Sequence, residues 1–308
     1  MVDFSGVLSR LPTRADVLAA ADRVPRGRDA ASPFVAGDTV GRAAAVVADV
    51  VASGMSASVQ YLAVEGIVGP ARLAAFQTIE ALANEDLGHG NDLAVDPVAL
   101  GLGSTPTASV RTNLAAICAA ADEAGLTVTL LGALHDDVAG VLELHASLRD
   151  EFPDLGVTVA ANLLRSESDC LDLAGAGSRV RLVRRSGPEP ASFALTRGHE
   201  VDLAYVRCLR ILMGGGARTT IATHDPTLVD IADALATRAE RETGHQSYQF
   251  RLGVLTEQAE ELAAAGASVS ILVPFGPAWA EYVSSHIALR PASVGAALRA
   301  AVAGGADR

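Results

Sequence analysis

Polar side chains follow directly on several apolar, strand-like segments of this chain. The segment 218–222 has the pattern of a short strand, and Thr223, His224 and Asp225 come straight after it. Hydroxyl, imidazole and carboxylate groups side by side can donate and accept hydrogen bonds to a ligand. Two interpretations are open: the three residues line a binding pocket, or Asp225 or Thr227 caps the following helix.

Arginines alternate with apolar residues in the segment 179–184, whose sequence is RVRLVR. Side chains two positions apart in a strand share a face, so Arg179 and Arg181 lie on one side of it. Arg184 and Arg185 stand at the end of the same strand. A guanidinium offers a rigid fork of donors that suits an anion or a cofactor. The open alternative is that Arg181 faces a helix or is exposed at the mouth of a barrel, and pairs with a carboxylate.

Further candidates stand at or after the other strand-like segments. They are Glu65, His135, Asp136, Asp137, Asn162, Arg165, Arg251, Trp279, Tyr282, Ser285 and His286. Asp136 and Asp137 open a helix-like segment, so an N-capping role is expected for this pair. The sequence contains no GxGxxG, P-loop, HExxH or GxSxG pattern. Its histidines and cysteines lack metal-ligand spacing, and the three cysteines are expected to be core thiols.

The composition excludes several classes of function. The net charge is −12, so nucleic acid binding, which needs a basic surface, is not expected. All 24 basic residues are arginine, so no lysine is available for a Schiff base or a P-loop. No apolar run reaches the roughly 18 residues of a transmembrane segment. Residues 1–10 lack a secretory signal pattern, and a cytoplasmic protein is therefore expected.

Hydrophobic periodicity predicts the elements that bring these candidates together. From residue 57 onward, strand-like and helix-like segments alternate. The predicted strands are 58–64, 93–100, 126–131, 156–161, 179–184, 218–223, 247–254 and 268–274. The predicted helices are 70–84, 110–124, 136–149, 166–174, 199–213, 228–239, 256–265 and 278–289. This order predicts an α/β protein with a closed (β/α)8 TIM-type barrel, whose sites lie at the carboxyl ends of the strands.

The chain is predicted to have two parts. Residues 1–56 form an N-terminal helical arm, and residues 57–308 form the barrel domain. Within the arm, Thr13 is a candidate N-cap for a helix over 14–24, and Asp38 or Thr39 is a candidate N-cap for a helix over 41–52.

Several motifs resemble the bacterial proline dehydrogenase family. The segments 179–184 and 189–192, together with residues of 200–210, resemble its fifth β/α unit. The segment IATHDP at 221–226 resembles the end of its sixth strand, and 269–292 resembles its eighth strand and the helix that follows. The resemblance runs through most of residues 57–300 and keeps the order of the family's motifs.

The resemblance implies a (β/α)8 barrel that binds FAD, a small amino or imino acid as substrate, and a quinone as possible electron acceptor. The reaction it implies is oxidation of L-proline to 1-pyrroline-5-carboxylate. The implied cofactor contacts are Arg181, Val183, Arg184, Thr223, His224 and Arg251. The implied catalytic residues are Tyr282, Ser285 and His286.

The chain departs from the family pattern at several site positions. Ser285 and His286 stand where the family has two arginines that bind the substrate carboxylate, and Val98 stands for a lysine of the second strand. The other replacements are Leu131 for an aspartate, Ala160 and Arg251 for flavin-contacting glutamines, and RRSG at 184–187 for KGAY. Three hypotheses remain open: a proline dehydrogenase, a flavoprotein acting on another amine or imino acid, and a non-catalytic barrel.

Overall fold

The strands of this protein close into the ring that the sequence predicts. The computed structural model describes residues 34–175, 177–241 and 244–283. Each strand pairs in parallel with the next one along the chain, and β8 pairs back onto β1. The strands are β1 (Ser56–Tyr61), β2 (Asp92–Val95), β3 (Thr127–Leu130), β4 (Gly156–Ala160), β5 (Arg179–Val183), β6 (Arg218–Ala222), β7 (Gln246–Arg251) and β8 (Val269–Phe275). The predicted (β/α)8 barrel is confirmed.

Helices alternate with the strands and cover the outside of the barrel. They are α1 (Val40–Ala52), α2 (Pro70–Asn84), α3 (Thr107–Glu123), α4 (Val138–Leu148), α5 (Ser166–Leu173), α6 (Gly198–Gly215), α7 (Pro226–Arg238) and α8 (Thr256–Ala264). Residues 279–283 are also helical. Among the described residues, no helix is long and apolar enough to cross a bilayer.

One predicted boundary is wrong by a wide margin. The strand expected over 93–100 ends at Val95. The cause is local: the Asp96 side chain accepts a hydrogen bond from the backbone N–H of Val98 at 2.9 Å, and Pro97 stands between them. This arrangement turns the chain away from the sheet. Val98 therefore lies in a turn rather than on the second strand.

The outer face of the barrel wall carries the apolar residues that hold the helices. Val59, Leu130, Leu182 and Val273 are all 0% exposed and belong to one core cluster. Successive side chains of a strand point to opposite faces. The residues between these apolar ones therefore point into the barrel, and that alternation decides which side chains reach the interior.

The interior of this barrel is polar, whereas bulky branched side chains usually fill such barrels. In the half of the interior near the amino ends of the strands, the Asp92 carboxylate is the centre of a hydrogen-bond network. It accepts hydrogen bonds from the hydroxyls of Ser58 (2.7 Å), Thr127 (2.8 Å) and Thr129 (2.8 Å), and from the guanidinium of Arg179 (3.1 Å). Because serine and threonine fill less space than leucine or isoleucine, a cavity of about 450 Å³ remains at the amino ends of the strands.

Helix α1 completes the outer layer beside the last strand. It packs against β1, β8 and α2, and buries Ala43 and Val47 there. The Thr39 hydroxyl accepts a hydrogen bond from the backbone N–H of Arg42 at 3.4 Å, so Thr39 is the N-cap of the two candidates. The helix predicted over 14–24 lies outside the described residues.

Candidate functional site

A cavity of about 350 Å³ opens at the carboxyl ends of the strands, where the sequence analysis expects the site. Its volume lies in the range of small-molecule sites. The lining comprises Gln60, Asp96, Leu131, Gly132, Thr158, Arg181, Val183, Arg184, Arg185, Ser186, Ala222, His224, Gln249, Phe250, Arg251, Leu272 and Tyr282. We call this space the mouth cavity.

Arg181 lies at the floor of the mouth cavity and is 5% exposed. Its Nε donates to the Thr158 hydroxyl at 2.9 Å, and its Nη1 donates to Oε1 of Gln249 at 3.2 Å. Both partners are neutral, so no described carboxylate touches this guanidinium. Burial lowers the pKa of Arg181 to about 10, while the charge of Asp92 acts in the opposite direction. The side chain therefore stays charged at neutral pH. The alternative of an arginine paired with a carboxylate does not hold among the described residues.

β7 places Arg251 on the same inward face as Gln249, at the rim of the mouth cavity. The backbone N–H of Arg251 donates to Nε2 of His224 at 2.9 Å, so His224 is neutral with its proton on Nδ1. Tyr282 stands near Arg181 and Arg251. Burial raises the pKa of the Tyr282 hydroxyl, while the positive charges of Arg251 and Arg181 lower it. The β5 and β7 side of the cavity is therefore cationic.

The two arginines that follow β5 already form hydrogen bonds with other residues of the protein. Nε of Arg184 donates to Oδ1 of Asp202 on α6 at 2.6 Å. The Arg185 guanidinium donates to the backbone carbonyls of Leu195 (3.1 Å) and Thr196 (2.9 Å). Both side chains line the wall, but their hydrogen bonds hold the chain between β5 and α6. A cofactor contact from Arg184 would have to coexist with its ion pair.

Of the three polar residues after β6, only His224 lies in the cavity lining. Thr223 is 3% exposed, and its hydroxyl accepts a hydrogen bond from the backbone N–H of Asp225 at 3.2 Å. Oδ1 of Asp225 accepts from the N–H of Thr227 at 3.1 Å and caps α7. The pocket and capping interpretations thus each apply to part of this group. Val183 lines the cavity as a residue of β5.

The other predicted candidates lie away from the mouth cavity. Glu65 and Asp136 are exposed, and Asp137 is the N-cap of α4 without a side-chain capping bond. Arg165 forms an ion pair with Asp169 at 2.8 Å. Trp279 packs beside Phe34 and Leu62. The Asn162 amide is fully buried, and no hydrogen bond reaches it from the described residues. Ser285 and His286 lie outside the described residues.

His135 fastens the chain between β5 and α6, which we call the β5–α6 loop (residues 184–197), to the loop after β3. The Glu189 carboxylate accepts from the backbone N–H of His135 at 2.8 Å and lies 2.6 Å from its Nδ1. The Glu189 side chain is only 2% exposed. The Phe193 ring stacks on the His135 ring with centroids 4.0 Å apart. His135 therefore positions this loop and does not line the cavity.

Sequence reasoning missed four polar residues of the lining: Gln60, Asp96, Thr158 and Gln249. Strand alternation provides the signal for Gln249, which is two positions from Arg251. The second strand is predicted to extend to residue 100, so the prediction places Asp96 inside the strand and Val98 near its end. Val98 is 39% exposed and is not part of the lining. Val98 therefore does not lie on the second strand, where the sequence analysis expects it.

Known proteins align with most of this chain, although no family model matches it. Proline dehydrogenase 1 of Bacillus subtilis strain 168 is 26% identical over 270 residues, which cover 86% of this chain and 88% of that protein. Proline dehydrogenase of Deinococcus radiodurans is 27% identical over 270 residues, which cover 85% and 86% respectively. The chain is similar to these bacterial proline dehydrogenases over most of its length. The resemblance seen in its motifs is confirmed.

Solved structures share the barrel. The chain superposes on proline utilization A from Bdellovibrio bacteriovorus, inactivated by N-propargylglycine, with a TM-score of 0.77 at 17% identity. It superposes on the Bradyrhizobium japonicum protein, a D778Y mutant, with a TM-score of 0.70 at 16% identity. These matches cover 90% and 89% of this chain but 34% and 32% of those chains, so it spans about a third of their length. At these identities the likeness shows the fold.

Residues of different character line the mouth cavity. Leu131 contributes an apolar side chain to the wall. Arg251 adds a positive charge close to Arg181. Ala160 is 3% exposed at the end of β4 and is not part of the lining. The cavity is therefore apolar at Leu131 and cationic at Arg181 and Arg251.

Proposed function

We propose that the protein is an FAD-dependent dehydrogenase that oxidises L-proline to 1-pyrroline-5-carboxylate and passes the electrons to a quinone. The observation that carries the proposal is a buried, charged Arg181 at the floor of the mouth cavity, in a homologue of proteins named proline dehydrogenase. Enzymes of this barrel type work at the carboxyl ends of their strands, which is where the cavity lies.

The residues of the mouth cavity fit a flavin. Its ring system presents nitrogens and carbonyl oxygens that accept hydrogen bonds, and the phosphates of FAD are anionic. Arg181 uses two of its five N–H donors within the barrel, which leaves others for the ligand. Val183 provides an apolar contact, and His224 adds a neutral ring at the rim. When bound, the flavin would accept a hydride from the substrate carbon next to nitrogen.

The chain's own residues would bind and orient the substrate. Arg181 keeps its positive charge at the floor, where it stabilises negative charge that develops on an adjacent ligand. Leu131 and Leu272 line the wall with apolar side chains, which would help to keep water from a bound substrate. Tyr282, and with it Ser285 and His286, are proposed to contact the substrate from the segment after β8.

A second candidate is a flavoprotein that acts on a different amine or imino acid. Leu131 and Ala160 favour it, because they remove polar groups that the proline dehydrogenase pattern places beside the substrate and the flavin. The third hypothesis, a non-catalytic barrel, rests on the same replacements. It differs from the first two in expecting no bound flavin.

The absorption spectrum of the purified protein, with and without added FAD, tests these candidates. Flavin bands that L-proline bleaches under anaerobic conditions are expected from the proposed function. Bands that L-proline leaves unchanged but another secondary amine bleaches would replace it with the second candidate. A colourless protein that takes up no FAD would refute both.

A further inference from the structure

The mouth cavity holds two opposite charges that have no partner in the described part of the chain. The Arg251 guanidinium makes no hydrogen bond and no ion pair there, and only its backbone N–H is engaged, by His224. The Asp96 carboxyl accepts backbone hydrogen bonds from Val98 and Ala99, and no basic side chain among the described residues pairs with it. Both side chains line the same cavity.

The arginines near the two ends of β5, by contrast, each have a carboxylate partner. Arg184 is paired with Asp202, and Arg179 is paired with Asp92. A charge taken out of water without a counter-ion costs free energy, so protein interiors normally pair such groups. A cavity that keeps one cation and one acid apart is suited to a ligand that brings both counter-charges with it.

The topology keeps the two charges on separate sides of the cavity. Asp96 follows β2 and Arg251 ends β7, and these strands are three places apart in a ring of eight. Arg181 on β5 and the Tyr282 hydroxyl lie near Arg251, as their mutual electrostatic effects show. The cavity is therefore polarised, with an acidic side at β2 and a cationic side at β5 and β7.

We propose that the mouth cavity binds a small zwitterion, an α-amino or α-imino acid, with its carboxylate at Arg251 and its ammonium group at Asp96. This assignment rests on the proposed function and deepens it, since it names the two side chains that would select the substrate class. It places Arg251 at the substrate and leaves Arg181 for the cofactor. Arginine is suited to this task because its fork of donors matches a carboxylate.

The electrostatics of the acid side agree with this assignment. Burial raises the pKa of Asp96, although its backbone hydrogen bonds act in the opposite direction. A ligand ammonium group beside the carboxyl favours the ionised form and offsets the effect of burial. Asp96 is therefore able to recognise a cation that enters the cavity, and it has no cation of its own among the described side chains.

Calorimetric titration of the full-length protein, saturated with FAD if it binds FAD, tests the assignment with three ligands. L-proline carries both charges, cyclopentanecarboxylate lacks the amine, and L-prolinamide lacks the carboxylate. L-proline is expected to bind at least about tenfold more tightly than either single-charge ligand. Binding of cyclopentanecarboxylate as tightly as L-proline would overturn the proposal. So would the failure of L-proline, pipecolate and a panel of α-amino acids to bind at all.

Two variants locate the charges. Arg251→Gln is expected to weaken L-proline binding about tenfold or more and to change L-prolinamide binding less than threefold. Asp96→Asn, which keeps an acceptor for the Val98 N–H, is expected to weaken both of these ligands and spare cyclopentanecarboxylate. Arg218→Gln and Asp136→Asn, outside the mouth cavity, are the matched controls. Unchanged L-proline binding in both test variants would refute the assignment.

The outcome also separates this inference from the proposed function. Zwitterion binding that depends on Arg251 and Asp96, without any flavin reduction, would refute the dehydrogenase function. It would support the assignment of these two residues to the ligand charges. Flavin reduction by L-proline with the same KM in wild type and in Arg251→Gln would leave the dehydrogenase standing and sink the assignment.

Discussion

Arg181 carries its charge into the centre of the barrel without a carboxylate against it. Thr158 and Gln249 satisfy part of its guanidinium through neutral oxygens. Asp92, the acid that acts on it from a distance, is occupied by Arg179 and three hydroxyls. Because a direct ion pair would cancel much of the field of Arg181, neutral partners leave that field available to a ligand in the mouth cavity.

Replacement of Arg181 by glutamine is therefore expected to weaken FAD binding about tenfold or more, since a charge-assisted hydrogen bond contributes roughly 1.5–3 kcal/mol. Fluorescence titration of the apoprotein with FAD measures this. Arg218→Gln is the matched control, because Arg218 stands at the opposite end of the barrel and pairs with Asp154 at 2.5 Å. Equal FAD affinities for Arg181→Gln and wild type would contradict the assigned role, provided circular dichroism shows the same fold.

At the scale of elements, the β5–α6 loop shapes one wall of the mouth cavity. Its first residues, 184–186, line the cavity, while its later residues are held from two sides. Glu189 grips His135 after β3, and the N–H of Leu164 after β4 donates to the carbonyl of Phe193 at 2.9 Å. The position of the wall thus depends on contacts made outside the cavity.

The variant Glu189→Gln tests how much the contact between Glu189 and His135 contributes to the local stability of the β5–α6 loop. Glutamine keeps the size of the side chain but loses its charge, so the hydrogen bond to His135 weakens. Hydrogen exchange of amides in 187–197 is expected to accelerate about tenfold or more, while exchange in the barrel strands stays unchanged. Glu167→Gln, which breaks the exposed pair with Arg207, serves as the control. Exchange in 187–197 at the wild-type rate would show that Phe193 stacking suffices.

The elements were more predictable from the sequence than the site. Short apolar strand-like segments alternate along the chain with segments that carry an apolar helical stripe, so local reasoning finds most of the elements. The directions of Arg184 and Arg185 depend on Asp202 and on carbonyls of the β5–α6 loop, which no local pattern reveals. Asp96 escaped notice because its side chain ends β2 by bonding Val98, which periodicity does not register.

At the scale of the whole molecule, buried acids that stay protonated make the fold sensitive to alkali. Burial raises the pKa of Cys118 from 9.0 to about 12, and that of Tyr248 from 10.0 to about 12. Burial also raises the pKa of Tyr205. These groups lose their protons first in the unfolded chain. Their contribution to stability is therefore present below pH 9 and is lost as the pH rises towards 12.

Urea unfolding under reducing conditions at several pH values measures this loss. The midpoint is expected to fall steadily between pH 9 and pH 12, the range set by the unfolded and folded pKa values of Cys118. Tyr248→Phe removes one of the titrating groups, so its midpoint is expected to fall less steeply above pH 10, the ordinary value for tyrosine. Midpoints that stay level up to pH 11 would contradict the assignment of these shifts to burial.

The pairing of β1 with β8 can form only at a late stage of the synthesis of the chain. The Ser56 hydroxyl donates to the carbonyl of Val269 at 3.3 Å, and 213 positions separate the two residues. A ribosome that adds ~5–20 residues per second takes on the order of 10–40 s to synthesise that stretch. During this interval α1 and β1 are already made, while the strand that they pack against does not yet exist. The sides of α1 and β1 that pack against β8 therefore have no partner until the last strand emerges.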